Sequence, residues 1–201
     1  MLDRWKGMQL TSDQEALVSE MLSDLNKSEE RLVQEFYQDR CSLERETGRI
    51  IRGCSYAFGE YDERVINTLK NLGFAYSRTV ESTENFRIPE DFMRWTPSCH
   101  HNDAFRGIAE KFLHKPDYQK LPLLYVWGHS FEFEREQTWE EMESFCRKIS
   151  NHENVWYTTN MDYVNYMNAA RNLIFNAECT YVENLSKIKI YCKIDGECQI
   201  L

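Results

Sequence analysis

The sequence predicts an α/β fold, part of a (β/α) barrel, followed by a C-terminal β-hairpin. Three observations carry this. Short apolar runs alternate with helical patterns of about the length that parallel crossovers need. Four such runs stand out: Arg49–Phe58, Phe74–Val80, Leu121–His129 and Val155–Asn160. The tail KIKIYCKIDGECQIL alternates apolar and polar residues around Asp195-Gly196, a type I′ hairpin signal.

The elements follow in order. Thr11 or Ser12 can cap a helix running to about Cys41, with Gln14 or Glu15 three residues on completing a capping box. Ala16, Leu17, Met21, Leu22, Leu25, Leu32, Val33 and Phe36 recur near a 3.6-residue period, as one buried face requires. RIIRGCSYAF reads as a strand ending at Gly59. In the helix YDERVINTLKNLGF that follows, Val65, Ile66 and Leu69 face inward and Gly73 is the stop. FAYSRTV is the next strand, and Ser82–Pro97 is irregular. Asn102 can cap a helix from Asp103 to about His114, and LPLLYVWGH is a strand that delivers His129. Thr138 opens a helix with acidic residues in its first turn, where the dipole favours them. VWYTTN is a strand and MDYVNYMNAARNL the last helix.

A length of 201 residues suits one domain with a small appendage, taken as 1–175 and 176–201. A net charge of −9 argues against a nucleic-acid partner, because phosphate binding needs a basic face. No apolar run approaches the roughly 18 residues of a membrane span, so no membrane partner is expected. MLDRWKGMQL lacks the apolar centre of a secretory signal, which reads as cytoplasmic. Seven cysteines without a C-x-x-C pair suit free packing thiols.

Several stretches carry a family likeness. GCSYAFGEYDERVINTLKNLGFAYSRTV resembles the middle of the polysaccharide deacetylase homology domain, carbohydrate esterase family four. FRIPEDFMRWTPSCHHND, LLYVWGHSFEF and NVWYTTNMDYVNY resemble its later parts in one bacterial branch. The likeness spans roughly Ser12 to Ile174. It implies a distorted (β/α) barrel that removes acetyl groups from an N-acetylated sugar polymer or oligosaccharide. It also implies a divalent metal, zinc or cobalt, held by one Asp and two His, with a second Asp in T-F-D-D-G as base.

By this resemblance His129 matches the general acid at a late strand end. The turn Ser55–Gly59 matches the oxyanion turn, with Phe58 offering the backbone N–H. It departs from the family at Ser55, Ala57 and Phe58, where Arg, Pro and Tyr are usual; a backbone donor survives such changes. The larger departure is an absence: there is no Asp-Asp pair and no His-x-x-x-His. Metal-bound water has a pKa near 7 against 15.7 in bulk, about 12 kcal/mol of nucleophile activation. A positioned acid supplies only about 10²–10⁴-fold. The chain alone is therefore expected not to hold the family's ion and to be impaired or inactive as a deacetylase. The alternative is a non-catalytic carbohydrate-binding or regulatory relative.

Other candidates are weighed on the residues. His100, His101 and Asp103 are weak metal candidates, since adjacent histidines point apart in an extended chain; both histidines also suit substrate contact. Tyr56, Trp95 and Trp127 are candidates for lining a saccharide cleft, although most tryptophans in such patterns are core. Glu132 and Glu134 read as a solvated rim, and His114 and His152 as surface caps. Loss of the early barrel strands would leave an unpaired edge, so a homo-oligomer is expected.

Overall fold

Four short strands run parallel and in chain order. The computed structural model describes Thr11 and residues 29–105, 107–116, 121–194 and 196–201. These divide into two compact units. One takes in the described residues up to Ile51 together with Tyr61–Gly73; the other comprises Arg52–Glu60 and Phe74–Leu201.

The first unit holds α1 (Glu29–Thr47) and α2 (Glu63–Asn71). Of the predicted caps, Thr11 is exposed and outside any helix, while Ser12 and the opening turns of the first helix lie outside the described residues. Its described part runs past Cys41 to Thr47, with Leu32 buried and Val33 exposed. Glu44 holds its last turns, bonding Arg40 at 2.8 Å and the Ile51 N–H at 3.0 Å. In α2 the Asp62 carboxylate accepts the Val65 N–H at 2.8 Å, and Val65, Ile66 and Leu69 are buried, as their spacing predicts. Gly73 ends the helix at φ +80, its N–H on the Lys70 carbonyl.

The second unit carries the strands. β1 (Gly53–Ser55) pairs in parallel with β2 (Tyr76–Arg78). A parallel bridge joins Arg78 to Trp95, on the segment leading into β3 (Cys99–His100), and β3 pairs in parallel with β4 (Val126–Trp127). Among the described residues these strands do not close into a barrel. The third strand follows just after the segment expected to be irregular, which itself supplies the bridge residue Trp95 and a 3₁₀ turn at Phe92–Arg94. The single helix expected over 103–114 is two, α3 (His101–Ala104) and α4 (Ile108–Leu113). Gly107, at φ +94, stands before α4, a conformation few residues but glycine adopt.

Two departures lie further on. The run LPLLYVWGH is strand only at Val126–Trp127, and SFEFERE after it is a helix, α5 (Ser130–Glu136). Next come α6 (Trp139–Ile149) and α7 (Asn160–Arg171). Val155–Asn160 forms no strand. Trp156 and Tyr157 are exposed, and Thr159 turns the chain into α7 by accepting the Asp162 N–H at 3.2 Å.

β5 (Ile174–Phe175) and β6 (Val182–Glu183) form an unpredicted antiparallel pair. The predicted hairpin is present as β7 (Tyr191–Ile194) and β8 (Glu197–Ile200), with Gly196 at φ +91. It falls in the second unit, where the Tyr191 N–H donates to Tyr166 on α7 at 3.2 Å.

An aromatic core backs the parallel strands. Trp95 is 1% exposed, stacked on Tyr163 at 5.6 Å and met edge-on by Tyr76 and Phe92. Val164 and Met167 from α7 complete the cluster. All seven cysteines are free thiols, and no described helix is long and apolar enough to cross a membrane.

Candidate functional site

The C-terminal ends of parallel strands are where such folds place their chemistry, because the connecting loops leave side chains there free of packing duty. β3 ends at His100 and β4 ends one residue before Gly128-His129. The two ends converge on one carboxylate, Glu132.

His100 is the last residue of a strand and His101 the first of a helix. In a continued strand their side chains would oppose. The turn into α3 swings them to one side instead, with ring centroids 4.1 Å apart. This corrects the expectation that adjacent histidines diverge. His101 Nε2 lies 2.8 Å from Glu132 Oε2, and His100 Nε2 lies 3.2 Å from the same oxygen. Asp103 is not among the converging donors.

Glu132 reaches this point through the turn that opens α5. The His129 N–H donates to Glu132 Oε2 at 3.1 Å, and the Glu132 N–H donates to the His129 carbonyl at 3.1 Å. That is the carboxylate half of a capping box, with Glu three residues after the cap. His129 Nδ1 also lies 3.3 Å from Oε2, while Arg135 stands 3.6 Å from the other oxygen. Glu132 is therefore no rim residue; its side chain is 14% exposed. Burial pushes its carboxyl pKa up, but the hydrogen bond from His101, the His129 N–H and the neighbouring imidazoles outweigh this and hold it at about 2. Burial lowers the His100 pKa, and the charge of His101 adds to the effect.

His101 is the buried member, 1% exposed, with the Phe133 ring 4.5 Å away. Its ring lies against Gly128. A Cβ there would sit 2.8 Å from Nε2 and 2.9 Å from Cγ, closer than real side chains approach. This is why the apolar run stops at glycine before it delivers His129. The imidazole of His129 is about half exposed, its side chain at 51%.

Trp127 walls the site. Its ring meets His100 edge-on at 4.7 Å and His129 at 5.7 Å, and the Arg78 guanidinium lies 4.2 Å over it. Arg78 ends β2, so three strand ends contribute. The structure thus brings together His100, His101, Trp127 and His129 of the predicted residues. It does not bring in Trp95, which is sealed in the aromatic core, nor the Tyr56 side chain, which is 4% exposed and donates to the Met93 carbonyl at 2.7 Å. Phe58 adopts φ 54, ψ 11 after β1, at the same end of the strands.

Sequence reasoning missed Glu132 and Arg78. The signal for Glu132 was present: H-S-F-E places Glu three residues after a chain-turning residue, as a capping box does. Nothing comparable marks Arg78. Compared with known proteins, the chain matches no family model, no curated protein and no solved structure.

Proposed function

We propose that this chain is a polysaccharide deacetylase-like protein that retains the proton-delivering part of an acetamide-hydrolysing site. The observation that carries the reading is the His129–Glu132 pair at the C-terminal ends of parallel strands. A carboxylate 3.3 Å from Nδ1 orients the ring, leaving Nε2 for a substrate. In acetamide hydrolysis water adds to the carbonyl carbon, the C–N bond breaks, and the departing amine takes up a proton. His129 is the donor of that proton. The ligand set that the family uses for its ion does not fit here, since the sequence has no Asp-Asp pair and no His-x-x-x-His. No step is therefore assigned to an ion in that position.

The test is acetate release from N-acetylated amino-sugar oligosaccharides, with and without added zinc or cobalt. Release that falls about 10²-fold or more in His129→Ala, with the fold intact, is the expected result. The reading is overturned if no acetate appears under any condition and calorimetry detects no oligosaccharide binding. Binding without release would favour the second reading, a non-catalytic carbohydrate binder. The wall formed by Trp127 supports that reading, and Trp127→Ala then weakens the binding.

A further inference from the structure

We propose that His100, His101 and Glu132 form a binding site for a divalent transition-metal ion of the zinc class. The inference is independent of any sugar assignment, because it rests on where three donor atoms stand.

Two imidazole nitrogens and one carboxylate oxygen lie within 4.8 Å of one another, on side chains that are buried or nearly so. Zinc holds imidazole nitrogen at 2.0–2.1 Å and carboxylate oxygen at 2.0–2.2 Å. Neighbouring ligands of a tetrahedral ion are then about 3.3 Å apart. The observed separations from Glu132 Oε2 are 2.8 Å to His101 Nε2 and 3.2 Å to His100 Nε2. Opening the cluster by a few tenths of an ångström makes room for the ion.

Hydrogen bonding alone accounts poorly for the same arrangement. Four nitrogens stand within 3.3 Å of this single oxygen: two Nε2 atoms, His129 Nδ1 and the His129 N–H. A carboxylate oxygen offers about two lone pairs. An ion at the centre turns the nitrogens of His100 and His101 from competing donors into ligands.

The tautomers allow it. Ligation through Nε2 needs the proton on Nδ1. For His101 no hydrogen bond is given up, because its buried Nδ1 has no partner among the described residues. For His100 it gives up only a 3.4 Å contact from the Asn102 N–H, near the limit of a hydrogen bond. Two histidines and one carboxylate leave a coordination position open, as in sites where an ion meets a substrate or water.

Tag-free full-length protein is stripped with a chelator, then titrated with Zn²⁺ against a chromophoric competitor and with Co²⁺ by visible absorption. The expected result is one ion per chain, and a cobalt spectrum without the charge-transfer band of a thiolate. Glu132→Gln and His100→Gln each lower the zinc affinity by about 100-fold or more, since even outer partners of metal ligands cost 10–100-fold. His114→Ala and His152→Ala leave it unchanged. Circular dichroism checks each variant's fold; His100→Gln alters a partly exposed ring and serves if Glu132→Gln does not fold. No zinc binding, binding that survives both Gln variants, or a thiolate band would each overturn the proposal.

Discussion

Replacing Gly128 with alanine adds one methyl group, and the structure says where it goes. It drives into the His101 ring, 2.8 Å from Nε2 and 2.9 Å from Cγ, where ordinary contacts begin near 3.4 Å. Gly128 is not among the residues with positive φ, so the penalty is steric rather than conformational. The ring has nowhere to go. It is 1% exposed, packed by His100 and Phe133, and tied to Glu132 at 2.8 Å. Overpacking costs about 1–3 kcal/mol, and losing a hydrogen bond to a charged group about 1.5–3 kcal/mol. One displacement causes both, so the two do not simply add; about 2–4 kcal/mol is the working figure. For a chain of this size that lowers the melting temperature by about 5–15 °C. Thermal and urea unfolding followed by circular dichroism measure it, and the imidazole proton resonances report whether the His101 ring has moved. Gly48→Ala is the contrast: at φ +64 with open space around it, it costs about 1 kcal/mol of backbone strain and leaves those resonances in place. If Gly128→Ala melts within about 1 °C of wild type with its histidine resonances unmoved, the packing account of the site is wrong.

Two further predictions concern the core and the tail. The Tyr163 hydroxyl is buried without a partner among the described residues, and burial pushes its pKa up to about 12 against the partial relief from Arg171. Tyr163→Phe keeps the stacking on Trp95 and removes the orphan, so stability rises by about 1 kcal/mol at neutral pH. A phenol whose pKa is higher folded than unfolded contributes stability that is complete below about pH 10 and is lost as pH climbs through about 12. The phenylalanine variant loses that alkaline slope; equal slopes in urea titrations between these limits would contradict the reading. At the tail, the directly paired Tyr191 and Ile200 are both exposed, 64% and 57%, as are Ile174 and Phe175. Self-association through this apolar surface is expected in light scattering, and a strict monomer at high concentration would refute it.

Where local chemistry decides an element, the sequence was readable. Asp62 and Gly73 bracket α2, with its buried residues at helical spacing between them, and Asp195-Gly196 marks the hairpin between β7 and β8. Three of the four expected strand segments contain parallel strands, because short β-branched and aromatic runs bounded by turns mark buried strands well. Val155–Asn160 fits the same pattern but has no ladder to join. A strand exists only through its neighbour, and a single sequence does not supply one. The opposite failure occurred at Cys99–His100, two residues too few for any pattern, which are strand only because Val126–Trp127 lies beside them.

The site was hidden by two changes of backbone type that the side chains do not advertise. In SFEFE, Phe131 and Phe133 alternate with glutamates, and Glu132 and Glu134 read as a solvated rim. Folded as α5, it puts Phe133 inside, leaves Phe131 exposed, and turns Glu132 back over its own N-terminus. At His100-His101 the chain passes from strand to helix between two identical residues, so rings that should diverge meet instead. Each change alone yields an unremarkable surface feature. Together they assemble three histidines around one carboxylate, two of them from 31 and 32 positions away along the chain. Neither Glu132 nor His101 has a purpose that its own segment reveals: the carboxylate, though buried, is held low chiefly by His101 from the start of α3, and that imidazole is confined by the glycine that follows β4. The chemistry belongs to the junction of β3 and β4, which is a property of the ladder.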